Sequence, residues 1–175
     1  MVNVVRRCST PEQWGEWLKT QLLCAARKGE LDLVKALAES GADVNEAITR
    51  VGGFTTTALH AAASKDHPAV LQELVRGGAD TEVTYTGEST ALHLAADWGC
   101  EAAVETLLGG GTAVHAKTVN EEEETTLHLA CYRGYSAGVK VLLDSGANVH
   151  IQMAGGDENG FTPLHTLLLV VMGRW

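Results

Sequence analysis

Four short strings recur along this chain, and in each of the first three, as in a weaker earlier copy, a second string follows at a constant distance. The first string reads TALHAAA from Thr57, TALHLAA from Thr90, TLHLAC from Thr126 and TPLHTLL from Thr162. Its histidines, His60, His93, His128 and His165, are separated by 33, 35 and 37 residues. The weaker copy, TQLLCAARKG from Thr20, has Leu23 at the histidine position. The second string reads GADVN from Gly41, GADTE from Gly78, GTAVH from Gly111 and GANVH from Gly146. From Leu23, His60, His93 or His128 to the glycine that follows is 18 residues every time. From each glycine to the next histidine is 19, 15, 17 and 19 residues. A segment of fixed length is a rigid packed piece, because one inserted residue in a helix turns every later side chain off its face. The segment of variable length is a loop that absorbs insertions.

The fixed segment reads as two short antiparallel helices. A threonine, a favoured N-cap, opens the first helix, and Pro163 suits the first helical turn. The small pairs Ala62–Ala63 and Ala95–Ala96 allow close approach of a neighbouring helix. Gly29, Gly99 and Gly134 mark the turn between helices. The second helix carries apolar residues at helical spacing: Val70, Leu71, Leu74 and Val75, then Val104, Leu107 and Leu108, then Val139, Leu142 and Leu143. Gly41, Gly78, Gly111 and Gly146 stand where glycine is favoured just beyond a helix C-terminus. A single helix pair cannot bury its own apolar stripe, so each unit needs a neighbour.

The TPLHxAA string, the GADVN string and the period near 33 resemble the ankyrin repeat, over roughly residues 20 to 170. The resemblance implies an all-α solenoid of stacked helix-turn-helix units, with hairpin loops projecting from one edge like fingers. The units fall at 20–52, 53–86, 87–122 and 123–158, with a partial repeat over 159–175. It also implies that the series histidines are buried and hydrogen-bonded to neighbouring backbone and to the threonine hydroxyl, a bond lost where Leu23 stands. Family members usually bind protein partners on the concave face formed by the fingers and the first helices. The two residues after the paired alanines point into that concavity. Carried over unit by unit, they are Arg27 and Lys28, Ser64 and Lys65, Asp97 and Trp98, and Tyr132 and Arg133. The second unit departs from the pattern, with Asp66 in place of the turn glycine and Pro68 soon after. Trp98, Tyr132 and Arg133 belong to the residue types enriched at binding hot spots; shielding of the adjacent repeat is the plainer role for Trp98. Asn45, last in GADVN, is the position that asparaginyl hydroxylases modify in some ankyrin repeats; its equivalents here are Glu82, His115 and His150.

The ends are read separately. Residues 1–19 form an N-terminal capping region, with a capping helix over Ser9 to Leu18 opened by Thr10, Pro11 and Gln13. Trp14, Trp17 and Leu18 lie on one face of it, which reads either as a cover for the open end of the first repeat or as an exposed partner-docking helix. At the other end Leu169 and Val170 stand where earlier units have polar residues. This reads either as a truncated chain or as an apolar contact surface.

Composition narrows function further. Lys plus Arg is 13 and Asp plus Glu is 22, a net charge of −9 that argues against phosphate-backbone binding and hence nucleic acid. Cys8, Cys24, Cys100 and Cys131 are scattered and form no C-x-x-C pair, which points to a reducing compartment, cytoplasm or nucleus. No apolar run is long enough to span a bilayer. Histidines one stacked unit apart, about 10 Å on helix-packing distances, are too distant to share one Zn²⁺. No nucleophile elbow and no phosphate-binding loop occur, so no catalytic residue, metal or cofactor is expected. The run of Glu121 to Glu124 after Asn120 reads as a solvated finger or as a contact for a basic partner. The sequence-level expectation is a monomeric, non-catalytic scaffold that binds a protein partner, with self-association only through the apolar C-terminal end. The alternative is the ankyrin arm of a larger enzyme, channel or ubiquitin-ligase subunit.

Overall fold

A computed structural model describes residues 10–49, 53, 55–86, 88–118, 123–154 and 160–173. Helix α1 (Pro11–Lys28) and α2 (Leu31–Glu39) form the first pair. The strands β1 (Ile48–Thr49) and β2 (Thr55–Thr56) then pair antiparallel, Ile48 facing Thr56. The second pair is α3 (Ala58–Ala63) and α4 (Pro68–Arg76). Strands β3 (Thr84–Tyr85) and β4 (Ser89–Thr90) make the next finger. The pairs α5 (Ala91–Asp97) with α6 (Glu101–Gly109), and α7 (Thr126–Tyr132) with α8 (Ser136–Asp144), follow. Helix α9 (Pro163–Val171) packs on α7.

Each first helix contacts the next first helix, and each second helix contacts the next second helix. Two layers result, and one continuous core runs through them. Its largest fully buried members are Leu22, Leu59, Leu71, Leu74, Leu92, Leu107 and Leu142. Ala62, Ala63, Ala95 and Ala96 are fully buried, which lets the first helices close on one another. Leu143 departs from the expected stripe: it is 42% exposed, because the buried side of α8 is carried by Leu142 with Val139 partly covered.

The capping segment is not a separate helix. Helix α1 runs unbroken through residues 19 and 20, so the cap and the first helix of unit one are one 18-residue element. Thr10 Oγ1 accepts the Gln13 N–H at 3.2 Å, and Pro11 sits in the first turn. Trp14 and Trp17 stack at 5.0 Å and lie against the core, while Leu18 is buried. Residues 1–9, which include Ser9 and Cys8, lie outside the described residues.

The glycines after each second helix, Gly41, Gly78, Gly111 and Gly146, all have φ between +86° and +90°, the left-handed region that ends a helix. In the turn between helices, Asp66 adopts φ +56° where the other units have glycine. Its carboxylate accepts the Ala103 N–H at 2.9 Å, a donor in the first turn of α6. The side chain thus supplies a cap to the next unit that glycine could not supply.

Candidate functional site

The recurrent histidines organise the finger face from below. Three threonines, Thr57, Thr90 and Thr125, are the N-caps of α3, α5 and α7. In the third string the cap is Thr125, one residue before the Thr126 at which the string was read. Thr126 occupies the first helical position, and its buried hydroxyl has no partner among the described residues. Each cap hydroxyl lies 2.7–2.8 Å from the histidine Nδ1. The same Nδ1 accepts the backbone N–H of that threonine. Nδ1 is therefore the acceptor and Nε2 carries the proton. Nε2–H donates to a carbonyl in the following finger: His60 to Val83 at 3.0 Å, His93 to Ala116 at 2.9 Å, and His128 to Phe161 at 3.0 Å. Each first helix is thereby tied to the finger after it.

Burial holds these rings neutral. The His60 ring is pushed down to about 4, and His93 and His128 are lowered by the same desolvation. With both nitrogens engaged, the rings offer no lone pair to a metal and no free base to a substrate. His165 departs from the buried pattern. It keeps the bond to Thr162 Oγ1 at 2.8 Å but is exposed, since no described element covers it. Leu23 is buried and apolar at the equivalent place in unit one.

Above this layer lie the residues carried over from the resemblance. They stand at the C-terminal ends of the first helices, one pair per unit. Arg27, Ser64, Lys65, Asp97 and Trp98 line one hollow of about 390 Å³, together with Leu23, His60, Leu94 and Tyr85. Its walls are first helices and fingers, with no second helix taking part. Trp98 is 66% exposed, so shielding of a neighbouring repeat does not account for its place. Lys65 Nζ lies 5.9 Å from the centre of its ring. Tyr132 and Arg133, one unit further, are outside the hollow but joined to its edge. Arg133 donates to Asp97 Oδ1 at 2.7–2.8 Å and sits 5.5 Å from the Tyr132 ring. Lys28 stands apart, 3.6 Å from Glu30.

These features follow from repeat geometry: an exposed pair at a fixed position in each first helix, repeated by stacking, makes one continuous surface. Models of known families agree. A model described as ankyrin repeats, three copies, matches residues 22–118, and a single ankyrin repeat matches residues 122–154. The chain belongs to the ankyrin-repeat family.

Ankyrin repeats are generally protein–protein interaction modules and typically non-catalytic, and this surface has the form such a module needs. Residue-by-residue transfer missed two contributors, and only one of them was beyond the reach of sequence spacing. Tyr85 comes from a finger, and only the three-dimensional stack brings it beside Trp98; Leu94, in α5, lies one helical turn before Trp98, on the same face. Asn45 has both ends of its amide occupied: Nδ2 donates to Gly78 O at 3.0 Å, and Oδ1 accepts the Asp80 N–H at 2.7 Å. It bridges units one and two, and Glu82 bridges units two and three by accepting the Ala113 N–H at 3.2 Å. In the acidic finger, Glu123 pairs with Lys117 at 2.9 Å, while Asn120, Glu121 and Glu122 lie outside the described residues. No described helix is long and apolar enough to cross a membrane.

Proposed function

We propose that this protein is a non-catalytic scaffold that holds a protein partner on its finger face, across the ends of α1, α3, α5 and α7. The observation that carries this reading is Trp98: a large aromatic left 66% exposed at the mouth of a hollow in a folded stack. An indole held this way, beside a lysine and next to a tyrosine–arginine pair, has the composition of a binding hot spot. The partner anchors on Trp98 and Tyr132, and the Asp97–Arg133 pair fixes the surface between units three and four. Lys28, engaged with Glu30, lies at the rim.

Trp98→Ala is expected to weaken partner binding by about 2 kcal/mol or more while leaving the thermal unfolding curve unchanged. The measurement is the dissociation constant of a partner recovered by affinity capture, beside circular-dichroism melts of both proteins. An unaltered dissociation constant removes Trp98 from the surface.

A second reading, the targeting or regulatory arm of a larger enzyme, channel or ubiquitin-ligase subunit, is favoured by the apolar side chains of α9. Leu164, Leu168 and Val171 are 62%, 49% and 76% exposed, and such a face needs a cover. Concentration-dependent mass in light scattering would show whether a second copy supplies it. Scattered thiols, with Cys100 and Cys131 buried, support a reducing compartment, cytoplasm or nucleus. Imaging of a fluorescent fusion tests that placement.

A further inference from the structure

The hollow beside Trp98 has an apolar lining and a basic mouth, in a chain whose net charge is −9. The apolar lining is Leu23, Ala61, Leu94, Tyr85 and Trp98, with Leu23 and Ala61 buried. The charged groups lining it are Arg27, Lys65 and Asp97. Asp97 is held by Arg133 at 2.7 Å, so its charge is already matched. Arg27 and Lys65 are exposed and form no salt bridge with a carboxylate among the described residues. Lys65 rests near the Trp98 ring, which orients an ammonium without neutralising it. His60 adds no charge near neutral pH, because burial keeps its ring unprotonated.

We infer that the partner segment seated in this hollow is an extended acidic stretch of polypeptide, with two carboxylates about three residues apart flanking a large aliphatic or aromatic side chain. The inference rests on the finger face being the binding surface and adds the chemistry of what binds. The spacing follows from two lengths. Stacked helices lie about 8–10 Å apart, and an extended chain advances about 3.3 Å per residue, so about three residues span one unit. One carboxylate then meets Arg27 at the end of α1, and the other meets Lys65 at the end of α3. The apolar side chain between them enters the hollow, whose volume of about 390 Å³ accommodates a leucine or a phenylalanine. Nucleic acid is the poorer fit. Two cations supply few phosphate contacts, and the bulk negative charge repels a long polyanion.

The test uses the full chain and short fluorescein-labelled peptides in glycine–serine flanks, read by fluorescence anisotropy. The cores are Glu-Leu-Ser-Glu, Gln-Leu-Ser-Gln, Glu-Ser-Ser-Glu and Lys-Leu-Ser-Lys, with a single-stranded oligonucleotide alongside. The acidic leucine peptide is expected to bind most tightly and to weaken as salt rises. The glutamine peptide, or the Arg27→Ala/Lys65→Ala protein, is expected to bind about tenfold more weakly. Both replaced side chains are exposed, and a matching melting curve confirms that the variant is folded. Equal binding of the glutamate and glutamine peptides overturns the inference. So does a preference for lysine, tighter binding of the oligonucleotide, or binding of no peptide. A captured partner that is sensitive to Trp98→Ala but indifferent to salt and to the Arg27/Lys65 variant keeps the finger face and overturns only its acidic specificity. A partner indifferent to Trp98→Ala sinks the finger-face reading itself.

Discussion

At the scale of single residues, the histidines of the recurrent string are structural because each ring nitrogen has one fixed task. Nδ1 receives the cap threonine, and Nε2–H reaches the next finger. This arrangement requires a neutral ring, and burial lowers the folded-state value of His60 to about 4, below the ordinary 6.5. The unfolded chain therefore takes up this proton first as pH falls, so the contribution of the ring is full above about pH 6.5 and is lost toward about pH 4. For His60 alone the loss is about 3 kcal/mol over that window. His93 and His128 act in the same direction. Urea midpoints measured from pH 7 down to pH 4.5 are expected to fall steadily, and His60→Leu is expected to flatten the slope while lowering stability at pH 7. A midpoint independent of pH across this range would contradict the buried neutral ring.

At the scale of elements, the repeated strings made the helix pairs, their terminal glycines and the finger positions legible, because fixed spacing encodes rigid packing. The pair positions at the ends of the first helices were equally legible, and Arg27, Ser64, Lys65, Asp97 and Trp98 do converge on one hollow. What could not be read was where local signals compete with the stack. Thr10 and Pro11 announce one helix start and Thr20 reads as a second, but no glycine or proline separates Leu18 from Thr20, and α1 runs through. The doubled threonine before Leu127 hides which hydroxyl is the cap until the helix is seen to begin at Thr126. Asp66 looked like a defect in the turn, and its compensation depends on a backbone N–H 37 residues away. Asp66→Ala is expected to cost about 1–2 kcal/mol, since the left-handed backbone strain stays and the cap to α6 goes. Asp66→Gly removes both the strain and the cap, so its loss is smaller. Urea denaturation of the two variants checks the order, and an Ala variant as stable as wild type would exclude the capping role.

At the scale of the whole molecule, stacking turns small local choices into one surface. No unit could bury its stripe alone, and the shared core of Leu59, Leu71, Leu92, Leu107 and Leu142 fixes the pitch at which the exposed pairs recur. The face of first helices and fingers carries Trp98, Tyr132, Arg27 and Lys65. The opposite face, built from second helices, presents residues such as Gln72, Glu73 and Arg76. Binding is therefore expected on one side of the stack only. The most direct measurement places a benzophenone amino acid at Tyr132 in one protein and at Gln72 in another, then irradiates each with the captured partner and maps the adducts by mass spectrometry. The account predicts partner adducts from position 132 and none from position 72; adducts from position 72, with none from position 132, would contradict it.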